Sequence, residues 1–292
     1  MIVGITGSEG LIGKALAHAL RAAGHAVDRF DVRLDVRFDV RDPALVGALA
    51  DRCDGIVHLA AESRVARGER NPTACLAINV GGTHNVVRAA RRASKWVLVA
   101  SSREVYGVTH GAVSESAPRR PINVYGWSKV AAEAIAHDYA RAAVVRFSNV
   151  YGSVSDHADR VVPAFCRASA IGGAIRVDGD VALDFVHVRD AVRGVLALID
   201  RVATTDFAPT VHLCSGRITS LAALATIANA TGGHRARMIR ADPRPFDVDS
   251  FVGDPRLAKN LIGWTSAVRV EEGVAELVAA FESARKESHD PG

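Results

Sequence analysis

Tyr125 and Lys129 carry the clearest sign of chemistry in this sequence, and they lie four residues apart in the segment VYGWSKVAAEAIA (124–136). In a helix this spacing places a phenol and an ammonium on one face, one turn apart. We expect the nearby cation to lower the pKa of the phenol from about 10 toward neutrality, so that Tyr125 becomes a proton acceptor at working pH. The same spacing occurs by chance on many helix surfaces, so its meaning depends on the residues around it.

Two serines, Ser101 and Ser102, follow the apolar run WVLVA (96–100), and open sheets bind ligands at the carboxyl ends of such strands. Arg103 and Glu104 come next. A guanidinium does not give up its proton, so Arg103 cannot serve as an acid. Two interpretations of Arg103 stay open: a surface arginine paired with Glu104 or another nearby acid, or a contact to a substrate carboxylate or phosphate, both of which arginine binds in a bidentate manner.

A glycine-rich turn, GITGSEGLIG (4–13), lies between the first apolar run and the first helical pattern. Gly7, Gly10 and Gly13 give the pattern Gly-x-x-Gly-x-x-Gly. Such glycines permit a tight turn, let backbone amides approach a pyrophosphate, and allow the helix to pack closely, with its positive end toward the anion. With a strand before it and an amphipathic helix after it, the turn predicts a dinucleotide site.

Asp31 ends the second apolar run, about 20 residues beyond the glycine turn. A carboxylate in this place accepts hydrogen bonds from both ribose hydroxyls of the adenosine and repels a 2′-phosphate, which favours NAD over NADP. Arg29 and Arg33 leave NADP open, because an arginine could instead pair with that phosphate.

The elements that must position these residues alternate along the first half of the chain. The apolar runs predicted to be strands are IVGI (2–5), AVDRF (26–30), GIVHL (55–59), WVLVA (96–100) and AVVRF (143–147). Helical patterns separate them, for example over residues 71–93, where Asn71 is an N-cap and Pro72 takes the first helical position. This alternation predicts an α/β fold with a doubly wound parallel sheet.

The second half of the chain predicts a smaller C-terminal substrate-binding region. We assign residues 1–152 and 182–216 to a dinucleotide-binding Rossmann domain, and residues 153–181 and 217–292 to the small region. The strand-like run VALDFVHV (181–188) is therefore expected to belong with the main sheet.

Composition restricts the classes of function. The chain of 292 residues is 49% hydrophobic and 23% charged, which is typical of a folded globular protein. Its net charge of +4 is small, with acids between the arginines, so we expect a small anionic ligand and no nucleic acid. The cysteines at positions 53, 75, 166 and 214 show no metal-type spacing and indicate buried thiols in a reducing compartment.

Neither a metal site nor a membrane partner is expected. The histidines form no HExxH motif. The opening residues, MIVGITGSEG, lack a basic leader and a cleavage site, and no apolar run approaches the roughly 18 residues of a membrane span. We therefore expect a cytoplasmic protein.

Taken together, the motifs resemble the extended short-chain dehydrogenases/reductases, in the group of NAD-dependent nucleotide-sugar epimerases and dehydratases. Besides Asp31, the matching segments are TGSEGLIG (6–13), DVRD (39–42), HLAAES (58–63), INVGGTHNV (78–86), SSREVYG (101–107), YGWSK (125–129), RFSNVYG (146–152), DFVHVRD (184–190) and RPFD (244–247). They span nearly the whole chain in family order. From Met1 to Asp31 the sequence is similar to the UDP-galactose 4-epimerases almost without a gap.

The resemblance implies a role for each matching position. The residues implied to hold NAD are Gly7, Gly10, Leu11, Ile12, Gly13, Asp31, Asp39, Val40, Ala60, Ala61, Asn79, Ala100, Tyr125 and Lys129. The catalytic residues implied are Ser102, which hydrogen-bonds the reacting sugar hydroxyl, Tyr125, which takes its proton, and Lys129. The residues expected to contact the substrate are Ser102, Arg103, Tyr125, Asn149 and Arg244, the last two on its phosphate side. The family also implies a homodimer.

The reaction follows from the family's use of the position after the serine. Family dehydratases place an Asp-Glu acid–base pair where this chain has Arg103 and Glu104, and decarboxylating relatives place a Ser-Glu pair there. Family epimerases need neither acid. We therefore expect an epimerase that works through a 4-keto sugar and transient hydride transfer, leaving NAD unchanged overall.

Three alternatives stay open at this point. One is a sugar or sugar-acid dehydrogenase or reductase that consumes NAD as a co-substrate. Another is an atypical dehydratase that uses Glu104 with an acid from elsewhere. The third is a non-enzymatic dinucleotide sensor, against which the intact Tyr125 and Lys129 argue.

One departure from the family concerns the substrate. Relatives carry an arginine that grips the substrate diphosphate immediately before their equivalent of Asp184, whereas this chain has Leu183. Losing such a charge-assisted contact usually costs a few kcal/mol unless another group replaces it, and Arg176, Arg189 and Arg217 are the candidates.

Overall fold

The computed structural model describes residues 1–178, 180–205, 208–242 and 244–287. Its strands are β1 (Ile2–Thr6), β2 (Ala26–Phe30), β3 (Gly55–His58), β4 (Trp96–Ser102), β5 (Ala112–Val113), β6 (Ala142–Phe147), β7 (Asn149–Tyr151), β8 (Gly173–Asp178), β9 (Ala182–His187), β10 (Thr210–Leu213), β11 (Ile218–Ser220), β12 (Ala236–Ala241) and β13 (Ser250–Gly253). Its α-helices are α1 (Leu11–Ala22), α2 (Pro43–Arg52), α3 (Val65–Arg70), α4 (Pro72–Leu76), α5 (Gly82–Arg92), α6 (Val124–His137), α7 (Val161–Ile171), α8 (Val188–Thr204), α9 (Leu221–Thr231), α10 (Arg256–Ile262) and α11 (Val270–Glu287).

Six parallel strands form the main sheet, in the order β10-β6-β4-β3-β1-β2. Both of its faces are covered, which explains why its strands read as unbroken apolar runs. On β3, for example, Ile56 packs into a core with α2 and α5, while the next residue, Val57, packs into a core with α1 and α8. The predicted doubly wound α/β fold is confirmed.

A second layer of structure lies at the carboxyl end of this sheet. Strands β11, β9, β13 and β5 pair in that order, β7 pairs with β9, and β12 pairs with β8. Their apolar side chains share a separate core with α7, α9 and α11. The expectation that residues 182–187 belong with the main sheet is wrong: β9 lies in the second sheet, and the chain returns to the main sheet only through α8 and β10.

The helical pattern over residues 71–93 is confirmed with one interruption. Asn71 caps it, since its Oδ1 accepts a hydrogen bond from the backbone N–H of Ala74 at 3.0 Å. Between α4 and α5 the helix continues through a π-helical turn, Ala77–Gly81. Such turns often mark functional positions, because they turn side chains out of the regular helical order.

Two smaller expectations can also be compared with the structure. All four cysteines are buried and free, as predicted. Within the described part of the chain, no helix combines the length and the apolar character needed to cross a membrane.

Candidate active site

A cavity of about 690 Å³ opens where the carboxyl ends of the main-sheet strands face the second sheet. Of the eighteen site positions singled out by sequence, all but Asn79 line it: Gly7, Gly10, Leu11, Ile12, Gly13, Asp31, Asp39, Val40, Ala60, Ala61, Ala100, Ser102, Arg103, Tyr125, Lys129, Asn149 and Arg244. The fold therefore brings the glycine turn, the Tyr/Lys pair and the polar strand ends to one continuous wall.

The glycine turn is closely packed on its inner side and open on its outer side. Gly7 has φ of +72°, and a Cβ there would lie 2.6 Å from the backbone nitrogen of Ala60. A Cβ on Gly13 would lie 2.2 Å from the carbonyl oxygen of Gly7, whereas one on Gly10 would meet nothing nearer than that oxygen, at 3.3 Å. No side chain caps the first turn of α1, so its amides are free to bind a diphosphate, and the turn fits the dinucleotide that the sequence predicts.

Asp31 is held at the end of β2 with its carboxylate on the cavity wall. Its Oδ2 accepts a hydrogen bond from the N–H of Glu9 at 2.8 Å, and its Oδ1 accepts one from the N–H of Arg33 at 2.9 Å. Beyond it, Val36, Phe38 and Val40 give the cavity an apolar end. A carboxylate followed by an apolar end fits the ribose and the adenine of a dinucleotide.

At the reacting end, α6 presents Tyr125 and Lys129 together. Asn123 caps this helix by accepting the N–H of Gly126 at 2.7 Å. Lys129 Nζ donates to the carbonyl oxygen of Ala100 at 2.8 Å and lies 5.8 Å from the ring centroid of Tyr125. The helix, the end of β4 and the phenol are thus fixed relative to one another.

The electrostatics of this pair differ from the expectation. Burial raises the pKa of Tyr125 to about 12, although a hydrogen bond with Ser102 and the charge of Arg160 oppose the rise. Burial also lowers the pKa of Lys129 to about 8. The expectation that Lys129 draws the pKa of the phenol toward neutrality is therefore wrong for this structure, because both groups lose their water in the same buried place.

Arg103 lines the cavity with two of its guanidinium nitrogens held by the protein, while the third, Nη1, is buried and has no hydrogen-bond partner among the described residues. Its Nη2 lies 2.8 Å from Glu104 Oε1, and its Nε donates to Asn149 Oδ1 at 3.3 Å. Glu104 Oε2 accepts a hydrogen bond from Asn123 Nδ2 at 2.8 Å, so both of its oxygens are engaged. The structure thus gives Arg103 the predicted partner, Glu104, but places the pair in the interior, with only 10% and 7% of the two side chains exposed.

The wall expected to hold the substrate diphosphate is largely apolar. Leu183 lines it beside Val181 and Phe185. Arg244 is the arginine from the predicted set that lies here, and it is paired with Asp247, Nε to Oδ2 at 2.6 Å.

The suggested replacements for the missing arginine lie elsewhere. Arg189 is paired with Glu276 at 2.7 Å, Arg217 reaches the carbonyl oxygen of Val268 at 3.5 Å, and Arg176 is exposed on β8. None of the three lines the cavity as described.

Asn79 supports the wall from behind. It is 1% exposed and lies in the π-helical turn. Its Oδ1 accepts the N–H of Glu62 at 2.8 Å, and its Nδ2 donates to Ser128 Oγ at 2.8 Å. These contacts tie the loop after β3 to α6, so Asn79 positions the wall, and a direct cofactor contact stays a prediction.

Sequence reasoning missed Glu133, which anchors the reacting end. Its carboxylate is fully buried, accepts Ser101 Oγ at 2.6 Å, and pairs with Arg146 through two bonds of 2.7 Å and with Arg119 at 3.0 Å. Burial alone would raise the pKa of Glu133, but the bonds and charge of Arg146 outweigh it and hold the pKa below its usual value. The available signal was its spacing, four residues beyond Lys129 on the same helix.

Sequence reasoning also missed Arg64 and Arg160, two arginines that join the loop after β3 to the loop after β7. Arg64 Nη2 lies 2.7 Å from Asp159 Oδ2, and Arg160 Nη2 donates to Ser63 Oγ at 3.2 Å. Both arginines line the cavity, and the charge of Arg160 acts on Tyr125. They connect the loop after β3 with the loop after β7.

Comparison with known proteins agrees with this geometry. A family model described as "NAD dependent epimerase/dehydratase family" matches residues 3–209. A UDP-glucose 4-epimerase of Mycolicibacterium smegmatis is 30% identical over 311 residues, covering 95% of this chain and 97% of that protein. A dTDP-glucose 4,6-dehydratase of Streptomyces griseus is 27% identical over 321 residues, covering 96% and 94%.

Among solved structures, that of MoeE5 in complex with UDP-glucuronic acid and NAD superimposes with a TM-score of 0.89 at 28% identity, covering 98% of this chain and all of that one.

Proposed function

Because the chain belongs to the NAD-dependent epimerase/dehydratase family, we propose that it is an epimerase that inverts one carbon of a nucleotide sugar through a 4-keto intermediate. NAD is its cofactor. The residues that would hold NAD are those of the glycine turn, Asp31 and the wall from Ala60 to Ala100. When bound, NAD supplies a reversible hydride acceptor.

Tyr125 is the residue proposed to exchange a proton with the sugar 4-hydroxyl. Residue Tyr125 lines the cavity together with Ser102, whose hydroxyl opposes the rise in the pKa of the phenol. In this role Ser102 orients the hydroxyl, and Tyr125 in its phenolate form accepts its proton and later returns one to the inverted alcohol. Burial favours the neutral phenol, so the phenolate would depend on the positive charges of Lys129 and of the nicotinamide ring of bound NAD. Lys129, fixed on Ala100, keeps a positive charge beside the phenol up to about pH 8.

The observation that carries the choice of epimerisation is the closed ion pair of Arg103 and Glu104. Elimination of water needs an acid to protonate the leaving hydroxyl and a base to take a proton from carbon. Arg103 cannot be that acid, and Glu104 has both oxygens engaged, by Arg103 and by Asn123. Epimerisation through Tyr125 needs neither group.

The relatives and the size of the cavity support a nucleotide-sugar substrate, although position 183 holds a leucine in place of the expected arginine. Ligand sites in proteins commonly have volumes of about 300–1,000 Å³. The cavity falls in this range and reaches from the glycine turn to Arg244. With Leu183 in the wall, Arg244 is the group proposed to meet the diphosphate.

The proposal is tested by product analysis. Small molecules that copurify with the protein are identified by mass spectrometry, and the nucleotide sugar found is added back to the holoenzyme. Proton NMR should show a stereoisomer of the substrate, with no net change in NADH absorbance. A steady change in NADH absorbance during turnover would instead indicate a dehydrogenase or reductase.

A further inference from the structure

Glu9, between Gly7 and Gly10 of the glycine turn, engages the two arginines that flank Asp31. Its carboxylate forms an ion pair with Arg29, and its carbonyl oxygen accepts a hydrogen bond from Arg33 Nη1 at 2.9 Å. Its own N–H donates to Asp31 Oδ2 at 2.8 Å. With 13% of its side chain exposed, Glu9 is a largely buried acid at the centre of the corner formed by Asp31, Arg29 and Arg33.

The charges in this corner bear on which dinucleotide it accepts. NADP differs from NAD by a phosphate on the 2′ oxygen of the adenosine ribose, where Asp31 is expected to lie. Such a phosphate carries a charge of about −1.5 to −2 and binds arginine strongly. Besides Arg29 and Arg33, the corner contains Lys14, whose Nζ lies 3.7 Å from the Glu9 carboxylate. Of these three cations Arg33 lines the cavity, and all three contact Glu9 or lie within ion-pair distance of it. Without Glu9, Asp31 would be left as the acid that opposes them.

We propose that Glu9 is a specificity-determining residue, which excludes NADP by occupying Arg29 and by placing a second carboxylate beside Asp31. The occupied arginine is not available to a 2′-phosphate unless its ion pair with Glu9 breaks. The added negative charge repels the phosphate directly and leaves the uncharged ribose hydroxyls of NAD unaffected. This inference does not depend on the proposed epimerisation, because it concerns only the adenosine end of the cofactor site.

The test compares cofactor binding in variants that change charge and preserve shape. Purified protein stripped of cofactor is titrated with NAD and with NADP by isothermal calorimetry. Glu9→Gln removes the carboxylate and keeps the length of the side chain. We expect it to raise the affinity for NADP about tenfold, as one charge-assisted contact allows, and to change the affinity for NAD less than twofold.

Two further variants assign the effect to Arg29. In the double variant Glu9→Gln with Arg29→Met, the gain in NADP affinity should be lost. Arg29→Met alone leaves Glu9 charged and should not raise NADP affinity. The proposal is overturned if Glu9→Gln changes both cofactors equally, or neither, or if its gain persists without Arg29. Weak binding of NAD by the unaltered protein would point instead to a fault in the cofactor assignment itself.

Discussion

The two ends of the cavity are built by different means. At the cofactor end the geometry comes from the backbone: Gly7 and Gly13 are required because a Cβ on either would overlap main-chain atoms. At the reacting end the geometry comes from side chains that are distant in sequence, as where Arg103 contacts Asn149, 46 residues away.

This difference determines how each end responds to change. A backbone turn either has room for a side chain or does not, and the atoms that decide it belong to the main chain, of the turn itself for Gly13 and of Ala60 for Gly7. A buried ion pair depends on both partners, and removing one leaves the other charged in a place without water. We therefore expect that a blocked turn at the cofactor end loses NAD binding outright. At the reacting end, stability lost through one substitution should be recovered by a second substitution in the partner residue.

The largest effect is expected for Gly13→Ala. Its Cβ would lie 2.2 Å from the carbonyl oxygen of Gly7, so the turn must open, and we expect loss of bound NAD and a drop in unfolding free energy of about 3 kcal/mol or more. Gly10→Ala is the matched control for stability alone, since its Cβ comes no nearer than 3.3 Å to the same atom, while its position still faces the expected diphosphate. Bound NAD per chain and thermal melting are the measurements. A Gly13→Ala protein that keeps both would refute the backbone account.

At the reacting end, Tyr125→Phe removes the oxygen proposed to transfer the proton and leaves the ring. Turnover should fall about 10²- to 10⁴-fold, the usual worth of a general acid–base group, while NAD binding and the melting temperature change little. The turnover number is measured by steady-state kinetics on the identified nucleotide sugar. Undiminished turnover in this variant would remove Tyr125 from the mechanism.

Arg103→Met is expected to destabilise the protein without disturbing the glycine turn. It leaves Glu104 buried and unpaired, at a cost of about 3 kcal/mol in unfolding free energy. Adding Glu104→Gln removes the uncompensated charge and keeps the acceptor for Asn123, so the double variant should recover most of that loss. Urea unfolding of the two variants measures this, and equal stabilities would mean that the pair is not coupled.

Acid should weaken the fold through His212, whose ring is hydrogen-bonded to Tyr106, a partner of the Arg146 that holds Glu133. Burial lowers the pKa of His212 to about 4 from its usual 6.5, so between these values the unfolded chain binds a proton that the folded chain does not. Stability is present above pH 6.5 and declines as the pH falls to about 4, by about 1.4 kcal/mol per pH unit. Unfolding free energies measured across this window should have a shallower slope, by one proton, in His212→Gln. An unchanged slope would exclude His212.

The smallest effect is expected where the substrate diphosphate is proposed to bind. Arg244→Ala should raise the KM for the nucleotide sugar about tenfold, as the loss of one charge-assisted contact allows. Arg217→Ala serves as the control, because Arg217 does not line the cavity. Similar KM values for the two variants would contradict the proposed contact between Arg244 and the diphosphate.

The sequence predicted best what depends on neighbouring residues. The main-sheet strands, the helix cap at Asn71 and the glycine turn were all readable, because each rests on short-range patterns that the backbone must obey. The strand over residues 182–187 was found but assigned to the wrong sheet. Its apolar pattern predicts a strand that is buried on both faces, but the pattern does not identify the partner strand.

What the sequence could not supply was the balance of burial and charge. The spacing of Tyr125 and Lys129 placed them correctly, but the direction of the pKa shift of the phenol depends on burial contributed by the whole fold. Glu133 was missed for the same reason: a glutamate on a helix is usually solvated, and its partner Arg146 comes from β6.

The central claim is that the sugar is inverted without loss of water, because Glu104 is closed against Arg103 while Tyr125 is free to act. Turnover of the nucleotide sugar in D₂O, followed by mass spectrometry and NMR of the product, tests it most directly. We predict a product of the same composition as the substrate, with no deuterium bound to carbon, since the hydride removed from the sugar returns to it. A product that has lost water and carries carbon-bound deuterium would contradict the account.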